Sequence, residues 1–178
     1  MINSRKIPAR TALMNTLAEL LHKKPFQKIS VNEFCETAQV SRSAFYANFE
    51  DKYHLFSCCL EAKGREMEKQ MANHSPEEFL YVMLDFVQKE NRFFYNTFIA
   101  DLDEEIAESF YQFFEKHLTE ILRQKAADGL ILPGPVDVVT SFYIGGLTGT
   151  TLRWIKSNYR LAKEDLAACQ YRLLKDII

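Results

Sequence analysis

The sequence predicts an all-α protein, with a three-helix, helix-turn-helix head at the N-terminal end of a longer helical body and about nine helices in total. Apolar residues recur at helical spacing along most of the chain. No stretch alternates apolar and polar residues for long enough to argue for a sheet, and capping residues and breakers divide the chain into helix-sized lengths. With 178 residues, 47% of them hydrophobic, the chain can bury a core that needs no metal or disulfide.

Pro8 suits a first helical turn, and Leu13, Met14, Leu17, Leu20 and Leu21 form one apolar stripe. A first helix is therefore predicted from about Pro8 to about Lys23, ended by Lys23, Lys24 and Pro25. Ser30 followed three residues later by Glu33 has the pattern of a capping box and opens a short second helix to about Ala38. After a turn at Gln39 and Val40, Ser41 caps a third helix from Arg42 to about Ala47. A longer fourth helix starts near Glu50 and Asp51, acids suited to a positive helix terminus, and reaches about Met71. The chain breaks from Asn73 to Pro76, and helices follow at about 76–89, 91–100, 103–128, 135–157 and 163–177. Between the third and fourth of these, the Gly-Leu-Ile-Leu-Pro-Gly-Pro segment at 129–135 reads as a loop. The head is taken as residues 1–52 and the body as residues 53–178, with the fourth helix as a continuous connection.

The formal net charge of −2 hides an asymmetry. Residues 1–60 carry eight Lys or Arg against five Asp or Glu, and the remainder carries fourteen against nineteen. A mildly basic head on an acidic body fits an electrostatic footprint confined to one face. Cys35, Cys58, Cys59 and Cys169 form no CxxC pair and no ligand-like cluster, and the chain opens on no apolar signal-peptide core. These features point to a reducing cytoplasm and to no bound metal or cofactor. The uncharged run from Val138 to Leu152 falls short of a bilayer and reads as a buried helix.

Residues 30–56, SVNEFCETAQVSRSAFYANFEDKYHLF, carry the functional pattern. Two short helices separated by about three residues have the layout in which the second projects into a DNA major groove while the first braces it. Val31, Phe34, Cys35, Ala38, Val40, Phe45 and Phe49 supply a small core that fixes their angle. Arg42, Ser43, Tyr46 and Asn48 are left facing outward. Arg42 and Ser43 suit base edges or phosphates, and Tyr46 and Lys52 suit phosphate oxygens. Lys28, Ser30 and Ser41 complete the expected DNA-binding set.

These residues also resemble the TetR family of transcription regulators, in the order Ser30-Val31, Ala38-Gln39-Val40-Ser41, Phe45-Tyr46, Phe49 and Lys52, over about residues 8–56. One position departs: Gln39 stands where the family often has Gly, so it must take a left-handed or nearby backbone at some steric cost. The resemblance implies a dimeric regulator of nine or ten helices whose body holds an effector pocket. The run from Phe142 to Gly146, with Trp154-Ile155, resembles a subgroup that includes activators of dihydroxyacetone-kinase operons, which respond to a protein partner.

The last two helices resemble the pair that forms a four-helix dimer bundle in this family. Phe142, Gly145, Gly146, Gly149, Leu166 and Leu173 are the expected interface residues, since glycines on a helix face suit close approach of another backbone. Phe94, Tyr95, Phe98, Phe110, Phe114 and Tyr143 are candidates for lining an apolar pocket; the alternative is that such aromatics simply fill the core. His22, His54, His74 and His117 are scattered, and no HExxH, phosphate-cradling Gly loop or nucleophile elbow is present, which argues against an enzyme. The reading is a sequence-specific DNA-binding regulator, a homodimer on a pseudo-palindromic double-stranded operator, repressing until an effector binds the body. The alternative is an activator or partner-binding module acting through protein contacts of the body, and no membrane association is expected.

Overall fold

The computed structural model describes residues 8–71, 75–100 and 103–175, and among these there is no strand. The helices are α1 (Ala9–Leu21), α2 (Val31–Ala38), α3 (Arg42–Tyr46), α4 (Lys52–Met71), α5 (Pro76–Lys89), α6 (Asn91–Phe98), α7 (Glu104–Ala127), α8 (Val136–Lys156) and α9 (Lys163–Leu174), with a 3-10 turn at Phe26–Lys28. The all-α class holds, and the helix order follows the periodicity of the sequence. The break expected at Asn73 and the end of the last helix at residue 177 lie outside the described residues.

Packing divides the chain into two units, one of Met1–Gly64 with Arg92–Ala107, the other of Arg65–Asn91 with Glu108–Ile178. The first unit therefore extends past residue 52 and takes in α6 and the start of α7. In its core Leu13, Leu17, Leu20 and Leu21 of α1 are buried with Phe26, Phe34, Phe45, Phe49, Leu55 and Phe56. Removing a side chain of this size from water contributes about 2 kcal/mol, so the aromatics carry much of the fold. In the second unit α5 packs on α9. Its core holds Leu80, Leu84 and Val87 of α5, Leu122 of α7, Val139, Ile144, Trp154 and Ile155 of α8, and Leu166, Ala167 and Leu174 of α9.

The starts of α2, α3, α4 and α5 are set by short polar side chains. Ser30 Oγ accepts from Glu33 N at 3.3 Å and Ser41 Oγ from Ala44 N at 3.1 Å. Asp51 Oδ1 accepts from Tyr53 N at 2.9 Å and His54 N at 2.8 Å. At α5 the capping box is complete, because Ser75 and Glu78 each accept from the other's backbone N–H. The box expected at Ser30 is only half formed: the Glu33 carboxylate pairs with Lys24 Nζ at 2.5 Å instead.

Gln39 adopts the left-handed conformation its position implied, at φ 55° and ψ 42°. Val40 N–H returns to Cys35 O at 3.0 Å and Gln39 N–H to Glu36 O at 3.2 Å, a Schellman closure that ends α2 before the chain turns into α3. A side chain in this conformation is strained, and glycine is not. Gln39→Gly is expected to stabilise the protein by roughly 0.5–1 kcal/mol, read as a higher urea midpoint at unchanged slope.

One buried carboxylate ties three segments of the first unit together. Asp103, 3% exposed, accepts from Gln27 Nε2 at 2.6 Å and Tyr53 Oη at 3.1 Å. Its other oxygen caps α7, accepting from Glu105 N at 3.0 Å and Ile106 N at 3.2 Å. The Tyr53 phenol is pushed up to about 12, first by burial and then by its bond to Asp103.

Candidate nucleic-acid interface

Helix α3 has five residues, too few to be helical alone, so its shape comes from its surroundings. Phe45 is fully buried, stacked on Phe34 of α2 at 6.4 Å and tilted against Phe49 at 5.8 Å. Half-buried Val31, Ala38 and Val40 edge this core. With Phe45 turned inward, Arg42, Ser43 and Tyr46 are left exposed, Tyr46 to 50%. This is the surface the sequence assigned to DNA. Three polar fingers on a rigid helix can donate to phosphates and base edges in a major groove.

The surrounding candidates divide by what their polar atoms already do. Lys28 is exposed at the end of the 3-10 turn, beside the start of α2. Ser30 and Ser41 are exposed, with their hydroxyl oxygens occupied as caps. Asn48 was expected to face outward, but it is half-buried and its Nδ2 donates to Ala44 O at 2.7 Å, closing the end of α3. Its own carbonyl accepts from Arg10 Nη1 at 3.2 Å, and the Arg10 guanidinium lies 4.7 Å from the Phe49 ring.

Lys52 is also turned inward. Its Nζ donates to the carbonyls of Phe26, Gln27 and Ile29 at 3.2, 3.4 and 3.3 Å and lies 4.5 Å from the Phe26 ring. Three carbonyls match the three N–H groups of an ammonium. Burial lowers the Lys52 pKa, opposed by the carboxylates of Asp103 and Glu105.

Sequence reasoning did not single out Asn32, Arg10 or Asp103. Asn32 Oδ1 accepts a hydrogen bond from Arg42 Nη1, and the Arg42 guanidinium carbon lies 5.8 Å from the centre of the Tyr46 ring. Asn32 and Arg42 are ten residues apart on different helices, a separation that carries no periodic signal.

With this geometry in place, residues 13–58 match the profile of bacterial regulatory proteins of the tetR family, and residues 74–176, more than half of the chain, match a transcriptional regulator C-terminal region. The chain belongs to the TetR family of bacterial transcriptional regulators. Among solved structures, a TetR transcriptional regulator from Streptococcus agalactiae 2603V has a TM-score of 0.70 at 22% identity, over 93% of each chain. The fatty acid degradation regulator FadR from Bacillus halodurans gives 0.64 at 14% identity, over 96% of each. The dihydroxyacetone kinase operon activator DhaS gives 0.54 at 18% identity, over 95% of this chain and 96% of the other. At these identities the likeness is one of fold. No curated protein sequence matches the chain at a significant level.

TetR-family regulators bind DNA operators and usually form homodimers. In this TetR-family chain the run from Val138 to Leu152 lies in α8, a helix as expected, and it is buried along one side only. Val139, Thr140 and Ile144 face the core, whereas Val138 and Phe142 are 60% and 75% exposed. Gly145, Gly146 and Gly149 are exposed, and a Cβ added at any of them meets nothing within 4 Å. On α9 Cys169 is exposed and Leu173 is 66% exposed. Leu166 was expected at this surface, but it is 6% exposed and belongs to the core of the second unit: it stands at the edge of the buried stripe of Ala167, Gln170 and Leu174, where α9 passes from core to the exposed Cys169 and Leu173.

The six pocket aromatics fall in different units. Phe94 and Phe98 are buried and stacked at 6.2 Å in the first unit, where Tyr95 is 50% exposed. Phe110, Phe114 and Tyr143 of the second unit are half-buried, with the first two rings 4.6 Å apart. A groove of about 640 Å³ in the second unit lies elsewhere, lined by Glu78, Tyr81, Val82, Glu164, Ala167 and Ala168 among others. Among the described residues, no helix is long and apolar enough to cross a membrane, and no three metal-ligating side chains cluster.

Proposed function

We propose that this regulator works as a homodimer that sets two α3 helices in successive major grooves of a pseudo-palindromic operator, repressing transcription until an effector binds the body. The observation that carries it is the exposed Arg42, Ser43 and Tyr46 on a helix whose inner face is locked by Phe45. Arg42 and Ser43 read base edges, while Tyr46 and Lys28 hold phosphates. The engaged hydroxyls of Ser30 and Ser41 and the Asn48 side chain serve by fixing the helix ends. Lys52 holds the 3-10 turn against α4, adding positive field more than a direct phosphate bond. The open glycine face of α8, with Leu173 and Cys169 of α9, supports the dimer surface. The half-buried Phe110, Phe114 and Tyr143 support an aromatic effector site within the second unit.

The test is selection of bound sequences from a random double-stranded DNA pool at fixed, near-physiological salt, with the native protein and Arg42→Ala. A pseudo-palindrome is expected, blurred in the variant at particular base pairs, with affinity down by roughly 5- to 150-fold. No enrichment from folded protein would exclude operator reading.

A second reading, activation through a protein partner of the body, is favoured by the fold it shares with DhaS and by a stripe on α5. There Phe79, Val82 and Phe86 are each 37% exposed at helical spacing. That reading requires transcription to rise, not fall, when the regulator is expressed beside its operator.

A further inference from the structure

We infer that Asn32 of α2 is a specificity-determining positioning residue, acting on base preference through Arg42; the inference rests on the reading of Arg42 as a base contact. An exposed arginine samples many rotamers, and ordering it on DNA costs conformational entropy that weakens whatever contact it makes. Arg42 is held on two sides before DNA arrives. Its Nη1 donates to Asn32 Oδ1, and its guanidinium carbon lies 5.8 Å from the Tyr46 ring centre.

The hydrogen bond engages one of the five N–H groups of the guanidinium, which leaves the rest of the fork for the two acceptors on a guanine edge. Asn32 is itself exposed near the start of α2 and anchored to a helix that packs on both α1 and α3. The bond therefore fixes the fork relative to the scaffold and not merely to its own five-residue helix. A carboxamide oxygen is suited to this task, because it accepts from the guanidinium without neutralising the charge that DNA attracts. Removing it frees Arg42 to choose other rotamers, so the preference for one base pair weakens even though Arg42 is still present.

A direct phosphate contact by Asn32 is the competing role, and two variants separate them. Asn32→Ala removes the acceptor. Asn32→Asp keeps it and adds a charge that any neighbouring phosphate would repel. Pool selection and anisotropy titration on the selected operator are run with native protein, the two Asn32 variants, Arg42→Ala and the Asn32→Ala/Arg42→Ala double variant, each confirmed as folded by its circular dichroism and melting curve.

Asn32→Ala is expected to blur the same base pairs as Arg42→Ala, to weaken specific binding by about 3- to 10-fold, and to add no further loss in the double variant. Asn32→Asp is expected to keep the base preference and to weaken binding no more than Asn32→Ala does; a larger loss, uniform across sequences, overturns the inference in favour of a phosphate contact. Additive losses in the double variant, or blurring at other base pairs, overturn the inference in favour of a direct contact. Preference unchanged in Asn32→Ala overturns it as well. Arg42→Ala alone leaving the preference intact is a distinct result, which removes the base-reading role of Arg42 and with it the basis for Asn32.

Discussion

Phe142→Glu is expected to convert the proposed dimer to a monomer and to lower operator affinity by about 100-fold or more, since one head then has to bind without the effective concentration its tethered twin supplies. Phe142 is 75% exposed in the single chain, so the substitution leaves the monomer's core untouched. Sedimentation across a concentration series reads the first effect and operator titration the second. The glycines add a sharper expectation, because their effect should change sign with assembly. Each helical glycine costs roughly 1 kcal/mol against alanine, and within the chain an added Cβ at Gly145 or Gly149 meets nothing within 4 Å. Gly149→Ala should therefore stabilise the Phe142→Glu monomer by about that amount and weaken the native dimer. Stabilisation of both forms would mean that no second backbone approaches this face. Leu166→Ala is the contrasting control: Leu166 is 6% exposed, so its loss should cost about 2–5 kcal/mol through a cavity, whatever the state of assembly.

Asp103→Ala should be among the most destabilising single changes in the first unit, about 3–5 kcal/mol by urea denaturation. It removes the cap of α7 and strands the Tyr53 hydroxyl and the Gln27 amide without their acceptor. Asp103→Asn keeps one acceptor oxygen, enough to cap α7, but turns an amide nitrogen towards the Gln27 and Tyr53 donors, so it should cost less than Asp103→Ala while still destabilising, and Tyr53→Phe about 1 kcal/mol. The same node gives an alkaline signature. The folded Tyr53 phenol titrates at about 12 against an ordinary 10.0, so folding favours the protonated form. Its contribution is complete below pH 10 and is lost as pH rises towards 12, because the unfolded chain releases the proton first. Tyr53→Phe should flatten stability against pH in that window, on top of the roughly 1 kcal/mol it costs at neutral pH. An undiminished alkaline slope in that variant would assign the loss to other groups, Cys59 first among them, whose thiol burial also pushes up to about 12.

The head was legible from sequence because its signals are local. Ser30 and Ser41 announce helix starts within three residues, and Phe34, Phe45 and Phe49 stand at spacings that force them inward. Even the backbone of Gln39 followed from its place in the turn. What was not legible depends on partners distant in the chain. Gln27 and Tyr53 meet Asp103 across 76 and 50 residues. Lys52 reaches back to carbonyls 23 to 26 residues earlier, which converts an expected phosphate ligand into a brace. Asn48 and Leu166 show a different limit: a polar or apolar residue at the edge of a helical stripe can turn either way, and one rotation about the helix axis decides whether it serves the core or the surface. The body aromatics carried the least information, since Phe and Tyr at helical spacing fill a core and line a cavity with the same pattern.

The first packing unit is assembled from two separate stretches of chain. The carbonyl of Leu21 accepts from Asn96 Nδ2 at 2.7 Å, and Gln27 and Tyr53 depend on Asp103, so the stretch that reads DNA is finished by residues that arrive some forty positions after it ends. A single genetic crossover after residue 64 would thus transfer an incomplete object, lacking α6 and the start of α7. New operator preferences in this lineage should arise by substitution on α3 and its braces, not by exchange of whole heads between unrelated bodies, and grafting experiments need to carry residues 92–107 along with the first 64.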